Sequence, residues 1–267
     1  MKNIFLFVLL IFSLFSCGKN KKESTETKID NYNDILIQKT ITHAMGQIGG
    51  YNYTNSYEAF IDNYNKGARV FEVDFDLLDD HLICSHDEEY WRRFVDADLE
   101  YNYDNFMNTL LKNKYQTLDI DSISNILNEY EDIYIVTDTK YFDYETVIKQ
   151  FDLIYSKCKN NIERIIPQIY TEEMFDYLND NYKFKSMIFT LYKINNWDSK
   201  EIAQFMNEKN IPLVTMRKNL CTKEVCDEFK KYNIKICAHT VDKEDEAELL
   251  YSYGCDYIYS NRLIQNK

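Results

Sequence analysis

Residues 70–76 read Val-Phe-Glu-Val-Asp-Phe-Asp, and from Phe71 onward apolar and acidic side chains alternate. Because successive side chains of a β-strand point to opposite faces, this pattern predicts a strand with one apolar and one acidic face. The apolar face suits packing under helices, and the acidic face would then point into a barrel. An exposed edge strand with a solvated acidic face is the alternative interpretation.

Similar β-rich segments recur along the chain and alternate with segments of helical period. The predicted strands are residues 39–43, 70–77, 133–140, 164–169, 187–192, 212–217, 235–241 and 256–260. The predicted helices are residues 56–65, 120–130, 144–158, 172–181, 199–208, 223–231 and 244–253. This alternation predicts a TIM (β/α)8 barrel, with residues 87–118 as an insertion after the second strand that forms part of a substrate cap. A doubly wound open sheet is the alternative, but no glycine-rich nucleotide loop follows the first strand.

The composition fits one large domain and argues against a nucleic-acid partner. The chain has 267 residues, 45% of them apolar, and a formal net charge of −13. That size and apolar content suffice for a single large core. An acidic chain repels nucleic acids, so we expect no nucleic-acid partner, and any phosphate should bind in a local site through a cation.

The first 17 residues have the features of an export signal. Lys2 precedes an apolar run at residues 4–15, which is too short to span a bilayer. Leu14-Phe15-Ser16-Cys17 then resembles a bacterial lipobox, which implies cleavage before Cys17 and lipidation of that residue. Residues 18–34 are polar and predict a flexible tether to a domain at residues 35–267. We therefore expect an exported lipoprotein of the bacterial cell envelope, anchored to a membrane through Cys17; an ordinary signal peptide with a chance cysteine is the alternative.

Six further cysteines follow in the predicted domain. They are Cys84, Cys158, Cys221, Cys226, Cys237 and Cys255. Most are expected to be small buried apolar residues, although export leaves a structural disulfide open and six cysteines allow 15 pairings.

Candidate site residues gather at predicted strand ends, where barrel active sites are built. Glu72 and Asp74 lie on the acidic face of the second strand, and Asp138 on the third strand supplies another oxygen ligand. Carboxylate ligands alone favour Ca²⁺ or Mg²⁺ over Zn²⁺. Lys140 shares a face with Asp138 and suits an anionic substrate. Three of the four histidines, His43, His86 and His239, also lie near strand ends, whereas His81 is predicted to be a turn residue.

Taken together, these residues resemble the glycerophosphodiester phosphodiesterase family of the phosphatidylinositol-phospholipase-C-like superfamily. The ordered motifs, spread over residues 41–262, are HAMG at 43–46, YTNSYEAF at 53–60, GARVFEVD at 67–74, SHD at 85–87, DTK at 138–140, PQ at 167–168, TV at 240–241 and GCDYIYSN at 254–261. The resemblance implies a TIM barrel with the following site: His43 and His86 as general base and acid, Glu72, Asp74 and Asp138 around a divalent cation, Lys140 on the phosphate, and Gln168 and His239 in the pocket.

Three residues depart from the family pattern. Ala44 replaces an arginine, Asp138 replaces a glutamate, and His239 replaces a tryptophan. These changes bear on the substrate more than on the reaction. The predicted function is therefore metal-dependent hydrolysis of glycerophosphodiesters to glycerol phosphate and an alcohol. Phospholipase-type cleavage of intact lipids or lipid-linked glycans, or a catalytically silent binding lipoprotein, are the alternatives.

Overall fold

The computed structural model describes residues 38–96 and 98–265. The predicted signal segment with Cys17 and the tether at residues 18–34 lie outside these residues. The strands are β1 Thr40–Thr42, β2 Val70–Leu78, β3 His81–Cys84, β4 Tyr134–Asp138, β5 Ile165–Ile169, β6 Ile188–Thr190, β7 Leu213–Arg217, β8 Lys235–His239 and β9 Tyr257–Ser260. The α-helices are α1 Tyr57–Asn65, α2 Glu88–Phe94, α3 Tyr103–Asn108, α4 Ile120–Glu129, α5 Tyr144–Cys158, α6 Glu172–Asn181, α7 Ser199–Glu208, α8 Lys223–Lys230 and α9 Glu244–Tyr253.

Eight parallel strands close into a barrel in the order β1-β2-β4-β5-β6-β7-β8-β9. Closure is made by β1, which pairs in parallel with β2 at Thr42 and Phe71 and with β9 at Thr40 and Ile258. The predicted TIM barrel is confirmed. The open-sheet alternative is wrong, because β1 pairs on both sides.

The alternation of side chains along β2 follows the prediction. Phe71, Val73 and Phe75 are buried in the outer core, between the barrel and its helices. Full burial of such a side chain stabilises the fold by roughly 1.5–3 kcal/mol. Val70 belongs to the inner core with residues of the other strands, and Glu72 and Asp74 on the same face are fully buried. The edge-strand interpretation of β2 is therefore wrong.

Short polar side chains cap most of the α-helices and explain why their starts were predictable. The Oγ atom of Ser56 accepts a hydrogen bond from the Ala59 backbone N–H at the start of α1. Asp143 and Asp198 accept bonds from the first backbone N–H groups of α5 and α7 in the same way. Each cap satisfies donors that the helix itself leaves unpaired.

The insertion at residues 87–118 is present and contains α2 and α3, and it is preceded by a strand that the sequence analysis did not predict. β3 pairs antiparallel with the end of β2, in register at Phe75 and Cys84. His81 begins this strand instead of lying in the turn, and its ring stacks on Tyr103 at 3.7 Å between centroids. The helices α2 and α3 pack on the hairpin through a small core that includes Trp91.

The six cysteines in the described part of the chain are all buried thiols, as expected for most of them. The thiols of Cys221 and Cys226 form a hydrogen bond with their sulfur atoms 3.5 Å apart, and no disulfide joins them. Within residues 38–96 and 98–265, none of the helices combines the length and the apolar character needed to cross a bilayer.

Candidate active site

Three carboxylates meet at the carboxyl end of the barrel. Oxygen atoms of Glu72, Asp74 and Asp138 lie within 4.8 Å of one another. Parallel pairing explains the meeting, because Asp74 on β2 is directly opposite Asp138 on β4. Glu72 and Asp74 are fully buried, and Asp138 is half-buried. The structure thus brings together all three predicted cation ligands.

Lys140 supplies the positive charge nearest to this cluster. Its Nζ atom lies 2.5 Å from Asp74 Oδ1 and also contacts Asp138. Burial alone would lower the pKa of Lys140, but Asp138, Asp74 and Glu72 raise it well above its ordinary value. Lys140, which is predicted to bind the phosphate, is therefore a charged ammonium group paired with two carboxylates in this structure.

One lysine does not balance three neighbouring carboxylates, two of which are fully buried. Burial alone would raise the pKa of Asp74, but Lys140, the two histidines His43 and His86, and a hydrogen bond from Asn55 lower it to about 2. The pKa of Glu72 is instead raised well above its usual value by burial and by the neighbouring Asp74 and Asp138. Glu72 Oε1 is also buried with no hydrogen-bond partner in the described part of the chain. An unpaired buried oxygen beside two further carboxylates fits a divalent cation.

His43 follows β1 in a short 3₁₀ turn and is oriented by the end of the barrel. Its Nδ1 atom lies 2.9 Å from Asn261 Oδ1. Asn261 Nδ2 in turn donates to Asp242 at 2.8 Å, which leaves the Asn261 oxygen facing the ring. We infer that His43 carries its proton on Nδ1, so that Nε2, 3.9 Å from Glu72, has a free lone pair. The sequence analysis assigned no role to Asn261 or Asp242.

His86 lies on the other side of the pocket mouth, just before α2. Its Nδ1 atom is 2.7 Å from Asp87 Oδ2. The ring of Tyr53 packs against both histidines, with its centroid 4.8 Å from that of His43 and 5.8 Å from that of His86. Tyr53 has a φ of 62°, which is rare for a bulky side chain. The motif at residues 53–60 contained this tyrosine, but nothing in the pattern marked its contact with both rings.

On the opposite side of the pocket, the described lining residues include no carboxylate. This side is lined by Gln168, Thr190, Tyr192, His239 and Tyr259. The Tyr259 hydroxyl donates to Gln168 Oε1 at 3.0 Å. Burial, together with the positive neighbours His43, Arg217 and Lys140, lowers the pKa of His239 to about 4. Both predicted pocket residues, Gln168 and His239, therefore line the pocket as neutral groups.

Ala44 lies where the sequence pattern that this chain resembles has an arginine. Its side chain is fully buried and its backbone N–H donates to Glu72 Oε2 at 2.6 Å. This residue has a φ of 49° and a ψ of 45°, so the left-handed turn aims the amide at the carboxylate. The position thus contributes a backbone hydrogen bond instead of a guanidinium group.

No protein-family model matches the chain, and no curated protein matches its sequence. Solved structures do match its fold. An Oleispira antarctica phosphodiesterase in complex with the product sn-glycerol-3-phosphate superposes with a TM-score of 0.69, at 13% identity over 85% of this chain and 94% of that one. A glycerophosphodiester phosphodiesterase from Thermotoga maritima gives 0.64, at 17% identity over 84% and 94%. One from Parabacteroides distasonis gives 0.64, at 13% identity over 84% and 93%.

These similarities confirm the sequence resemblance at the level of the fold. The chain has the TIM-barrel fold seen in glycerophosphodiester phosphodiesterases.

Proposed function

We propose that the protein is a metal-dependent phosphoric diester hydrolase that converts glycerophosphodiesters to glycerol phosphate and an alcohol. The observation that carries this proposal is the convergence of His43 and His86 on one pocket with three carboxylates and Lys140. The fold similarity to glycerophosphodiester phosphodiesterases supports the same reaction class.

Glu72, Asp74 and Asp138 would hold the divalent cation, which we propose is Ca²⁺ or Mg²⁺ because the donors are all oxygen atoms. When bound, such a cation neutralises the non-bridging phosphate oxygens and lowers the pKa of a bound hydroxyl group. Lys140 lies at the edge of the cluster. Once the carboxylates are balanced by the cation, its ammonium group can pair with a phosphate oxygen.

The two histidines divide the proton transfers. His43 Nε2 has the free lone pair and accepts the proton of the attacking hydroxyl, which belongs either to water or to a vicinal hydroxyl of the substrate. His86 donates a proton to the leaving alkoxide. In this role its ring carries both protons, and the Asp87 carboxylate at Nδ1 balances the positive charge.

Cleavage of intact lipids or lipid-linked glycans is a second candidate. Two large side chains near the pocket mouth are unusually exposed for their size, namely Phe142 at 45% and Tyr192 at 44%. Exposed aromatic rings beside a pocket suit contact with a lipid surface. We also propose that the protein is exported and anchored in the cell envelope through Cys17, which would place the pocket near such a surface.

A binding lipoprotein without catalysis is the third candidate, motivated by Ala44 and Asp138 at positions where the family pattern differs. Both histidines line the pocket beside the cluster of three carboxylates, which argues against it.

The test is hydrolysis of a panel of glycerophosphodiesters by the purified protein with Ca²⁺, with Mg²⁺ and with a chelator. Glu72→Gln is the matched control, because it keeps the shape of the side chain and removes its charge. We expect release of glycerol phosphate that needs the cation and is lost in the variant. Turnover of vesicle lipids alone would favour the second candidate, and no turnover of either would favour the third.

A further inference from the structure

The pocket contains a second buried polar atom without a partner, and the proposed chemistry does not use it. Among the described residues that line the pocket, two have such atoms: Glu72 through Oε1 and His239 through Nε2. Glu72 is accounted for by the proposed cation. Leaving a buried polar group unpaired destabilises the folded state, so a ligand that hydrogen bonds to the Nε2 atom of His239 would remove this cost.

His239 is held in place by aromatic rings. It is the last residue of β8, and its ring centroid lies 5.8 Å from that of Tyr192 and 6.2 Å from that of Tyr259. The Tyr259 ring is also 6.4 Å from His43. A single tyrosine ring therefore separates His239 from the proposed general base, and both imidazoles face the same pocket.

We infer that His239 is a specificity-determining residue that hydrogen bonds through Nε2 to a hydroxyl group on the glycerol portion of the substrate. This inference rests on the proposed function, because it places the phosphate at the carboxylates and the neighbouring glycerol portion at the opposite wall. The ligand class is a phosphate ester of a polyol.

The chemistry of a neutral imidazole selects a hydroxyl group. Its nitrogen atoms comprise one donor and one acceptor, and a hydroxyl can match Nε2 in either tautomer. A carboxylate or a second phosphate can pair only with the tautomer that carries its proton on Nε2. A quaternary ammonium group forms no conventional hydrogen bond with either tautomer. The low pKa of His239 agrees with this selection, because the ring stays neutral at physiological pH. Gln168 and Thr190 on the same wall are also neutral and polar.

Binding measurements test the inference without requiring turnover. Calorimetry would compare sn-glycerol 3-phosphate with propyl phosphate, which lacks the hydroxyl groups, on the full-length protein in the presence of Ca²⁺ or Mg²⁺. We expect the wild-type protein to bind glycerol phosphate at least about tenfold more tightly. In His239→Phe, which keeps an aromatic ring, this ratio should fall close to one.

Two further variants separate recognition from folding. His239→Gln places an amide within reach of the same hydroxyl and should restore part of the ratio, even if the phenylalanine variant folds poorly. His81→Phe makes the same substitution on β3, outside the pocket, and should leave the ratio unchanged.

The inference would be overturned if the wild-type protein did not distinguish the two ligands or bound neither. It would also be overturned if His239→Phe kept the same affinity ratio as the wild type. Selective binding without hydrolysis of any diester would support the role of His239 and contradict the proposed reaction.

Discussion

The two walls of the pocket differ in the charge of their side chains. The charged wall consists of His43, Glu72, Asp74, His86, Asp138 and Lys140, from the first part of the barrel and the loop after β3. The neutral wall consists of Gln168, Thr190, Tyr192, His239 and Tyr259, from β5, β6, β8 and β9 and the residues next to them. Groups of the charged wall contact other ionisable groups, whereas the neutral wall is built largely from aromatic rings.

We propose that the charged wall performs the chemistry and that the neutral wall recognises the substrate. Buried charges interact strongly in a low dielectric, so removing one group on the charged wall leaves its partners unbalanced. Neutral hydrogen bonds and ring contacts are weaker and more independent. We therefore expect changes on the charged wall to alter rate or stability strongly, and changes on the neutral wall to act more weakly.

The largest effect should come from removing the proposed acid and base. We expect His43→Ala and His86→Ala each to lower kcat/KM by roughly 10³-fold, because each removes one proton transfer. Steady-state kinetics on a hydrolysed glycerophosphodiester would measure the loss, and thermal unfolding would verify the fold. His81→Ala is the matched control and should keep full activity. Full activity in both pocket variants would show that the charged wall does not perform acid-base catalysis.

Lys140→Met should destabilise the cation-free protein by about 3 kcal/mol, because Asp74 and Asp138 lose the ammonium group that pairs with them. Urea unfolding would measure the change, and an added divalent cation should recover part of it. Lys193→Met is the control, since Lys193 Nζ donates to the Lys140 carbonyl at 2.7 Å without an acidic partner in the described part of the chain. Equal losses of unfolding free energy in the two variants would show that the ion pairs of Lys140 do not stabilise the fold.

Asn261→Leu tests how His43 is oriented. We expect kcat to fall by roughly 100-fold with little change in KM, because the ring loses the acceptor at Nδ1 that selects its tautomer. Ser260→Ala removes a different contact to Asp242, at 3.0 Å, and should have a small effect. If both variants keep the wild-type kcat, the arrangement of Asp242 and Asn261 does not set the proton on His43.

The smallest effect concerns the neutral wall and is a pH dependence of stability. The folded pKa of His239 is about 4, below the ordinary 6.5, so the unfolded state takes up the proton first as the pH falls. Stability from the neutral ring is present above pH 6.5 and is lost as the pH falls from 6.5 to 4. Between pH 7 and 4.5, wild-type protein should lose about 2 kcal/mol more than His239→Phe in urea unfolding. Parallel pH profiles would mean that His239 titrates normally.

Much of the fold was predictable because its signals are local. Three kinds of signal act within a few residues of the chain. They are the alternation in β2, the helical periods, and the polar caps at Ser56, Asp143 and Asp198. The strand β3, just before the insertion, was harder to predict. The short apolar run of β3 carries no distinctive period, and its strand character depends on pairing with β2 beyond the barrel.

The members of the charged wall were predictable individually, because acids and histidines at strand ends are distinctive. Their supporting contacts were not. His43 and Asn261 are 218 residues apart in the chain, and only barrel closure between β1 and β9 brings them into contact. Tyr53 was visible in a motif, but its contact with two histidine rings depends on the course of the loop before α1.

The amino-acid sequence by itself determined the alternating pattern of strands and helices, the inward face of β2 and the residue types needed for cation and proton chemistry. These properties depend on backbone geometry and side-chain chemistry, which are local. Only the folded chain brings the three carboxylates together with Lys140, orients His43 against Asn261, and leaves the buried Nε2 of the pocket residue His239 without a partner among the described residues. Burial and long-range contacts set those properties, because the electrostatic cost of a polar group depends on every neighbour that excludes water from it.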